Sequence, residues 1–518
     1  MRRFAGGLFC GRRGFLLSLL LTAAAIALSW RFTGCSLGVL IRRSRHFSDL
    51  VVQMFPPQRD CLPEIWEPLK VSLQMSLAGT ALGSLAALIC APFCADLGRG
   101  LSLAGKALRM ALQVLRAFPA LILALAATFL TGLGAFAGAL ALTVYTFAIM
   151  TRLTAEDMES APSGAWGALR TIGAGKLAAF CRALLPEILP SFFTNALYLL
   201  ETNLRHSAIL GYVGAGGIGL LLSEKISWRE YSQAGMILIC LAAAAALIET
   251  ASLFAASGLR GEGRWPPAAK RCLAAAMGLA LCWGVLSIPL PDLSRVAPGT
   301  AAKMLAGLAS PDWGYFFRWG EEGLAFQLAQ TLCIALLGTA AGAVPALFFA
   351  FLSARAFSPA PLACAARGCV MAVRSVPFVI YGLVMIRVTG PGAFAGVLTM
   401  AVCSIGLLSK RFTESLDSLD LRPYGALRAC GAGRLAAACR AVLPQLWPQF
   451  ASAVIYRFDV NIREASVLGL VGAGGIGSVM VLSMNRYAWE TTGAVFLGLV
   501  LLVWGADAFS RSLRRRLR

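Results

Sequence analysis

The second half of this chain repeats the first, and that duplication constrains its architecture more than any other feature of the sequence. Leu169 to Pro190 reads LRTIGAGKLAAFCRALLPEILP, and Leu427 to Pro448 reads LRACGAGRLAAACRAVLPQLWP, identical at 14 of 22 positions. Leu197 to Gly219 reads LYLLETNLRHSAILGYVGAGGIG, and Ile455 to Gly477 reads IYRFDVNIREASVLGLVGAGGIG, identical at 12 of 23. Both matches lie at an offset of 258 residues, as does Arg116-Ala117-Phe118-Pro119 against Arg374-Ser375-Val376-Pro377. Gly79-Thr80 matches Gly338-Thr339 one residue out of step, so one short indel lies between.

Six helical spans are expected in each copy. In copy one they lie near 14–30, 71–95, 107–130, 133–150, 190–212 and 232–257; in copy two near 271–290, 326–352, 369–388, 392–408, 448–468 and 492–510. The chain is 58% hydrophobic and 14% charged, and runs of about 20 apolar residues are long enough to cross a bilayer core as helix. An even number of spans makes both copies enter the membrane from the same side, a parallel repeat about an axis along the membrane normal. The expected fold is an all-α membrane protein of about 12 transmembrane helices in two parallel six-helix repeats. The repeats run over 1–257 and 271–518, joined by a basic cytoplasmic linker at 258–270.

The net charge of +21 does not point to nucleic acid, because the basic residues flank the apolar runs. Arg2, Arg3, Arg12 and Arg13 precede the first; Arg260, Arg264, Lys270 and Arg271 sit in the middle; Arg511, Arg514, Arg515, Arg516 and Arg518 end the chain. That is the positive-inside signature of a multi-pass protein in lipid, with both termini cytoplasmic. The first run is long and lacks a clear cleavage site, so it reads as a retained helix. The 15 cysteines contain no C-x-x-C, and most lie within apolar runs, as small buried residues do. With only His46 and His206 present, no metal site is expected.

The long inside loop of each copy is more than a connector. Copy one carries Glu156, Asp157 and Glu159, then Gly173, then Leu185-Pro186; copy two carries Glu414, Asp417 and Asp420, then Gly431, then Leu443-Pro444. Such a segment suits two short helices hinged at a glycine, with a proline at the entry into the next span. An acidic start, a downstream glycine and a closing Leu-Pro resemble the EAA loop of ABC importer permeases. In that family the loop forms coupling helices that sit in a groove of the ATP-binding subunit. The resemblance carries that role to Glu156, Glu159, Gly173 and Pro186, and to Glu414, Asp417, Gly431 and Pro444. The A-L-R-x-x-G-A-G-K/R-L, Y-x-x-E/D-x-N-x-R and V-G-A-G-G-I-G phrasing, with Arg374-Ser375-Val376-Pro377, is similar to the phosphonate-transporter permease family, of MetI-like fold. Copy one departs from that pattern with Trp166, with His206 where copy two has Glu464, and with Arg116-Ala117-Phe118-Pro119.

The resemblance implies a pore-forming permease for phosphonate or a related small phosphorus oxyanion. It implies as partners two separate ATP-binding cassette subunits, which hold the ATP and magnesium, and an extracytoplasmic phosphonate-binding protein. With two coupling loops on one chain, one copy per complex is expected, in the cell inner membrane. The sequence has no G-x-x-x-x-G-K-[ST], so no cofactor is expected in this chain and it is not read as an enzyme. The competing reading is an ion-coupled secondary transporter, which also fits two parallel six-helix halves.

Two further motifs stand out. Gly214, Gly216, Gly217 and Gly219, repeated as Gly472, Gly474, Gly475 and Gly477, match G-x-G-x-x-G, but a membrane helix precedes them where a dinucleotide site needs a strand. They read as tight outside turns. The fifth span carries Glu201, Asn203 and Arg205, matched by Asp459, Asn461 and Arg463. Ionisable groups within a span suggest function by default. The i,i+4 spacing equally allows each acid to pair with its arginine on one helix face. They are candidates for the pore or substrate path.

Overall fold

The computed structural model describes residues 12–96, 102–161, 163–260, 266–291, 299–320, 323–355 and 358–517. Arg2, Arg3, Arg264, Arg518 and residues 261–265 of the expected linker lie outside them. The described residues form helices joined by short turns, with no strand among them. In copy one the elements are α1 (Arg12–Phe32), α2 (Leu37–Met54), α3 (Leu62–Cys94), α4 (Leu103–Leu115), α5 (Ala120–Thr131), α6 (Ala135–Ser160), α7 (Ser163–Thr171), α8 (Lys176–Ala179), α9 (Leu185–Leu210), α10 (Ile218–Ser227) and α11 (Tyr231–Arg260). They continue as α12 (Pro267–Leu286), α13 (Thr300–Ala309), α14 (Trp313–Phe316), α15 (Leu324–Ser353), α16 (Ala360–Ser375), α17 (Phe378–Thr389), α18 (Ala393–Asp417), α19 (Arg422–Ala429), α20 (Arg434–Ala437), α21 (Leu443–Leu468), α22 (Ile476–Asn485) and α23 (Trp489–Leu517).

Among the described residues, seven helices are long and apolar enough to cross a membrane, or up to ten if each of three bent pairs counts as one span. Shorter apolar helices cover Leu20–Phe32 and Ala275–Leu286. These elements fall where the six expected spans of each copy fall. The third span of each copy needs correction. The stretches 107–130 and 369–388 are not single helices: α4 and α5 meet at 94°, and α16 and α17 at 85°. Pro119 and Pro377 cause the break, since proline has no N–H to continue a helix and pushes the preceding residue out of the helical region. Val376 accordingly sits at φ −82°, ψ 123°. The 12-residue α5 and α17 reach only about 18 Å, short of a bilayer core of about 30 Å.

The chain divides into two compact units that do not follow the repeat boundaries. One is Leu50–Lys303; the other joins Met1–Asp49 to Met304–Arg518. In the first unit α12 packs on α3, and in the second α1 packs on α15, where Phe32 and Phe326 rings lie 4.8 Å apart. The first helix of each repeat is therefore housed with the later helices of the other. Each unit is centred on three spans. Ala87, Met150, Phe192, Ala196 and Leu199 form a buried cluster of α3, α6 and α9. Ala346, Ala350, Leu408, Phe412 and Leu446 form its counterpart of α15, α18 and α21.

Candidate functional site

The acidic loops take the shape expected of them. In copy one α7 ends at Gly173, whose φ of +86° favours glycine because no Cβ opposes it. The Ala174 N–H donates back to the Leu169 carbonyl at 3.0 Å, and the Arg170 guanidinium closes the turn onto the Ala174 carbonyl at 2.6 Å. Copy two repeats each part: Gly431 at φ +83°, Ala432 N–H to the Leu427 carbonyl at 3.0 Å, and Arg428 to the Ala432 carbonyl at 2.7 Å. No residue of α19 is buried, and Ile172 beside the first hinge is 78% exposed. Both hinged elements are held at their base by one aromatic. Trp166 packs against the cluster of Ala91, Met158, Leu184 and Ile188, and Tyr424 packs at the matching place in copy two. The Trp166 departure is thus one aromatic anchor for another. Ahead of Pro186 the backbone widens to a π turn at Phe180–Leu184, where the Leu185 N–H reaches the Phe180 carbonyl. Ala438–Val442 does the same ahead of Pro444, since a proline cannot donate to the carbonyl four residues back.

The loop acids are tied to the membrane body by a partner that spacing alone did not single out. Arg109 of α4 pairs with Glu159 at the end of α6 and donates its Nε to the Cys94 carbonyl closing α3, at 2.5 Å. Arg367 of α16 pairs with Asp417 at 2.9 Å and donates its Nε to the Ser353 carbonyl closing α15, at 2.9 Å. Both arginines and both acids stand 258 residues apart; that matched offset is the signal in the sequence. Glu156 and Glu414 instead make local pairs, with Arg152 at 2.5 Å and Arg411 at 3.3 Å.

Within the fifth spans, Arg205 pairs with Glu201, and Arg463 with Asp459 at 3.1 Å. Asn203 and Asn461 are fully buried and face neighbouring helices. The Asn203 amide donates to Thr80 at 2.9 Å and Thr146 at 2.8 Å, stitching α9 to α3 and α6. Asn461 donates to Thr339 at 2.7 Å and Ser404 at 2.9 Å, stitching α21 to α15 and α18. Copy two adds a buried ion pair, Arg457 to Glu464 at 2.8 Å. In copy one those two positions are Leu199 and His206. Both members are replaced together, and the His206 ring packs edge-on against Tyr145 with centroids 4.9 Å apart. The departure at His206 therefore removes a charge whose partner is also gone.

The glycine turns are close-packed joints. A Cβ on Gly219 would lie 2.1 Å from the Ala208 carbonyl oxygen, and one on Gly477 would lie 2.2 Å from that of Ser466. Gly214, Gly216 and Gly217, like Gly472, Gly474 and Gly475, take positive φ. The Gly214 carbonyl accepts from Gly134 N–H at 3.0 Å, and that of Gly472 from Gly392 N–H at 2.9 Å, pinning each turn to the start of α6 or α18. Ser72 and Thr331 cap the helices that follow, accepting from Ile218 N–H at 2.9 Å and Ile476 N–H at 3.0 Å. Copy one has a charged feature here: Lys225 bridges Glu230 at 3.1 Å and Glu64 at 3.5 Å. The hydrogen bond that Lys225 donates to Glu230, with the charges of both acids, raises the lysine pKa above its ordinary value. Copy two has Ser483 and Ala488 in place of Lys225 and Glu230. Among the described residues no group of His, Cys, Asp and Glu is arranged to hold a metal.

Comparison with known proteins gives matches to a family model, to named relatives and to solved structures. The family model described as "Binding-protein-dependent transport system inner membrane component" matches residues 79–259 and again 346–518. The phosphate-import permease protein PhnE of Mycolicibacterium smegmatis is 30% identical over 489 residues, covering 92% of this chain and 90% of that protein. The phosphite transport system permease protein PtxC of Stutzerimonas stutzeri is 35% identical over 260 residues, covering 50% of this chain and 92% of that one. A chain of the MetNI methionine ABC transporter in an inward-facing conformation matches at TM-score 0.36 and 21% identity, covering 39% of this chain and 99% of that chain. This multi-pass chain belongs to the family of inner-membrane permease components of binding-protein-dependent (ABC) transport systems, with the family module present twice in one polypeptide.

Proposed function

We propose that this chain forms the translocation pore of an ABC importer for a small phosphorus oxyanion of the phosphonate, phosphite or phosphate class. The observation that carries the reading is the pair of exposed, glycine-hinged loops, each fixed to its unit by the same arginine–carboxylate contact. A self-contained transporter has no use for two such elements; two ATP-hydrolysing subunits do. One chain then engages two ATPase subunits through α7–α8 and α19–α20, with both termini cytoplasmic and an extracytoplasmic binding protein delivering substrate near the glycine turns. ATP and magnesium belong to the partners. The repeats at 1–257 and 271–518 act as the two halves of the permease. The relatives named for phosphate and phosphite transport support the substrate class. Arg205 and Arg463 suit an oxyanion path, because a guanidinium binds such groups through two parallel hydrogen bonds.

The test is purification with the host's own ATPase and binding protein, native mass measurement, and uptake of labelled phosphonate, phosphite and phosphate into proteoliposomes. The expected result is one chain with two ATPase subunits and ATP-dependent uptake. Gly173→Asp with Gly431→Asp should abolish co-purification. Uptake by the chain alone, without ATP, would overturn the proposal in favour of a secondary transporter.

A further inference from the structure

The second unit carries an open groove at its coupling-loop end that none of the preceding chemistry uses. It has a volume of about 360 Å³ and lies between the end of α18, the first half of α21 and the end of α23. Arg411 and Arg514 face it, with Ser452, Gln449 and the ring of Tyr456; Ser415 and Ser418 also line it, their hydroxyls donating to the Arg411 and Ser415 carbonyls at 3.0 and 3.2 Å. Glu414 also lines it and takes one Arg411 nitrogen, Nη1, at 3.3 Å. Arg411 is 58% exposed along its side chain, and a guanidinium has five N–H donors in all. Asp507 pairs with Arg511 at 3.4 Å and Asp459 with Arg463 at 3.1 Å, and the Arg514 charge also acts on Asp459 from farther off. Arg514 donates its Nε to the Ser510 carbonyl at 3.3 Å and lies 6.0 Å over the Tyr456 ring. These named residues bring four arginines against three carboxylates, and the surplus cation stands in a cleft lined by hydroxyl and amide groups.

Three things direct this site toward an anion at the membrane surface. First, Arg411 and Arg514 lie near the ends of α18 and α23, 18 and 25 residues beyond the first residue of each helix. At 1.5 Å per residue those distances are about 27 and 38 Å, so against a hydrocarbon core of about 30 Å Arg411 stands close to the edge and Arg514 beyond it. Second, a half-exposed Tyr456 and an exposed Trp447 on α21 are the residues that sit at that interface. Third, the groove's charge is peculiar to copy two. The positions matching Arg411 and Arg514 are Leu153 and Ala256 in copy one. There Asp157 and Asn195, hydrogen-bonded at 3.0 Å, stand where the groove has Ser415 and Ala453.

We propose that this groove binds a phosphate-class oxyanion, offered either by the headgroup of an anionic phospholipid or by a free phosphate ion. Two guanidiniums supply the charge-assisted donors, and the Ser452 hydroxyl and Gln449 amide the neutral ones, that a tetrahedral oxyanion accepts. This inference does not rest on the transport reading, because neither ATPase subunits nor uptake enters it.

The test uses the full chain and the double variant Arg411→Leu with Arg514→Ala, which puts the copy-one residues into the copy-two groove. Arg411→Lys with Arg514→Lys is the conservative control that keeps the charge. Retention of phosphatidylglycerol is counted by native mass spectrometry after exchange against phosphatidylcholine, and labelled inorganic phosphate binding is measured by equilibrium dialysis. A retained phosphatidylglycerol, or a saturable phosphate site, that weakens at least tenfold in the Leu/Ala variant and is largely kept in the Lys/Lys variant supports the proposal. The responding arm names the source, headgroup or free ion. Wild type showing neither, or folded Leu/Ala variant binding both ligands like wild type, overturns it. If the Leu/Ala variant does not fold, the Lys/Lys variant at 50 and 300 mM salt decides: binding that does not weaken with salt overturns the site.

Discussion

The joint replacement of Arg457 and Glu464 by Leu199 and His206 in the other copy gives a quantitative test of how the two halves diverged. Arg457 is 3% exposed along its side chain, and its partner Glu464 is 23% exposed. Its Nε also approaches Ser404 Oγ at 3.3 Å, the hydroxyl that Asn461 uses. Arg457→Leu leaves Glu464 with its charge partner gone; breaking a fully buried pair costs about 3–5 kcal/mol, and the partial exposure of Glu464 brings the expectation to about 2–4 kcal/mol. Glu464→His alone strands the more deeply buried Arg457 and costs at least as much. Arg457→Leu with Glu464→His recreates the copy-one pair and should recover at least half of the summed loss. Recovery is incomplete because copy one offers Tyr145 to its imidazole, whereas copy two has Cys403 at that position. The assay is equilibrium unfolding in mixed micelles, run as a double-mutant cycle, with a coupling energy of about 2 kcal/mol expected for residues in direct contact. If the double variant loses as much as the two single variants together, the pair is not one unit and the reasoning fails.

Other substitutions separate coupling from folding. Arg367→Met, or Arg109→Met, should leave unfolding within about 1 kcal/mol, because each pair is roughly 40% exposed on the arginine side; it should lower transport-coupled ATPase activity several-fold, and unchanged coupling in the purified complex would refute the anchoring role. Gly219→Ala and Gly477→Ala force a methyl to within 2.1 and 2.2 Å of a carbonyl oxygen, so each should sharply reduce folded yield by size-exclusion chromatography. Gly167→Ala and Gly425→Ala, with nothing within 4 Å, should match wild type in the same assay. Asn203→Leu and Asn461→Leu each remove two interhelical hydrogen bonds and should cost about 1–2 kcal/mol in unfolding experiments; if Asn461→Leu instead abolishes uptake with stability unchanged, the residue belongs to the substrate path.

Much of the architecture is legible in the amino-acid sequence. The 258-residue offset, the apolar run lengths and the Gly-hinged acidic loop led to two six-span copies, and the helices begin and end near those positions. Local chemistry suffices there: spans are set by length and hydropathy, and hinges by residues with unusual backbone freedom. The break in the third span was less legible, although Pro119 and Pro377 mark it, because apolar residues on both sides hide a right-angle turn from a hydropathy reading.

The repeat, the membrane-spanning class, the hinges at Gly173 and Gly431, and the i,i+4 spacing that lets each acid of the fifth spans meet its arginine are all written in the residue order. All of these depend on residues within a few positions of one another or on a comparison of the chain with itself. The packing of α1 on α15 and of α12 on α3 emerges from the folded helices alone, as do the reach of Arg109 to Glu159 across 50 residues and that of Asn203 to Thr80 across 123. Helix propensity and hydropathy are local quantities. The face a helix turns to its neighbour, and the partner its polar groups find there, depend on which helices meet in the bilayer.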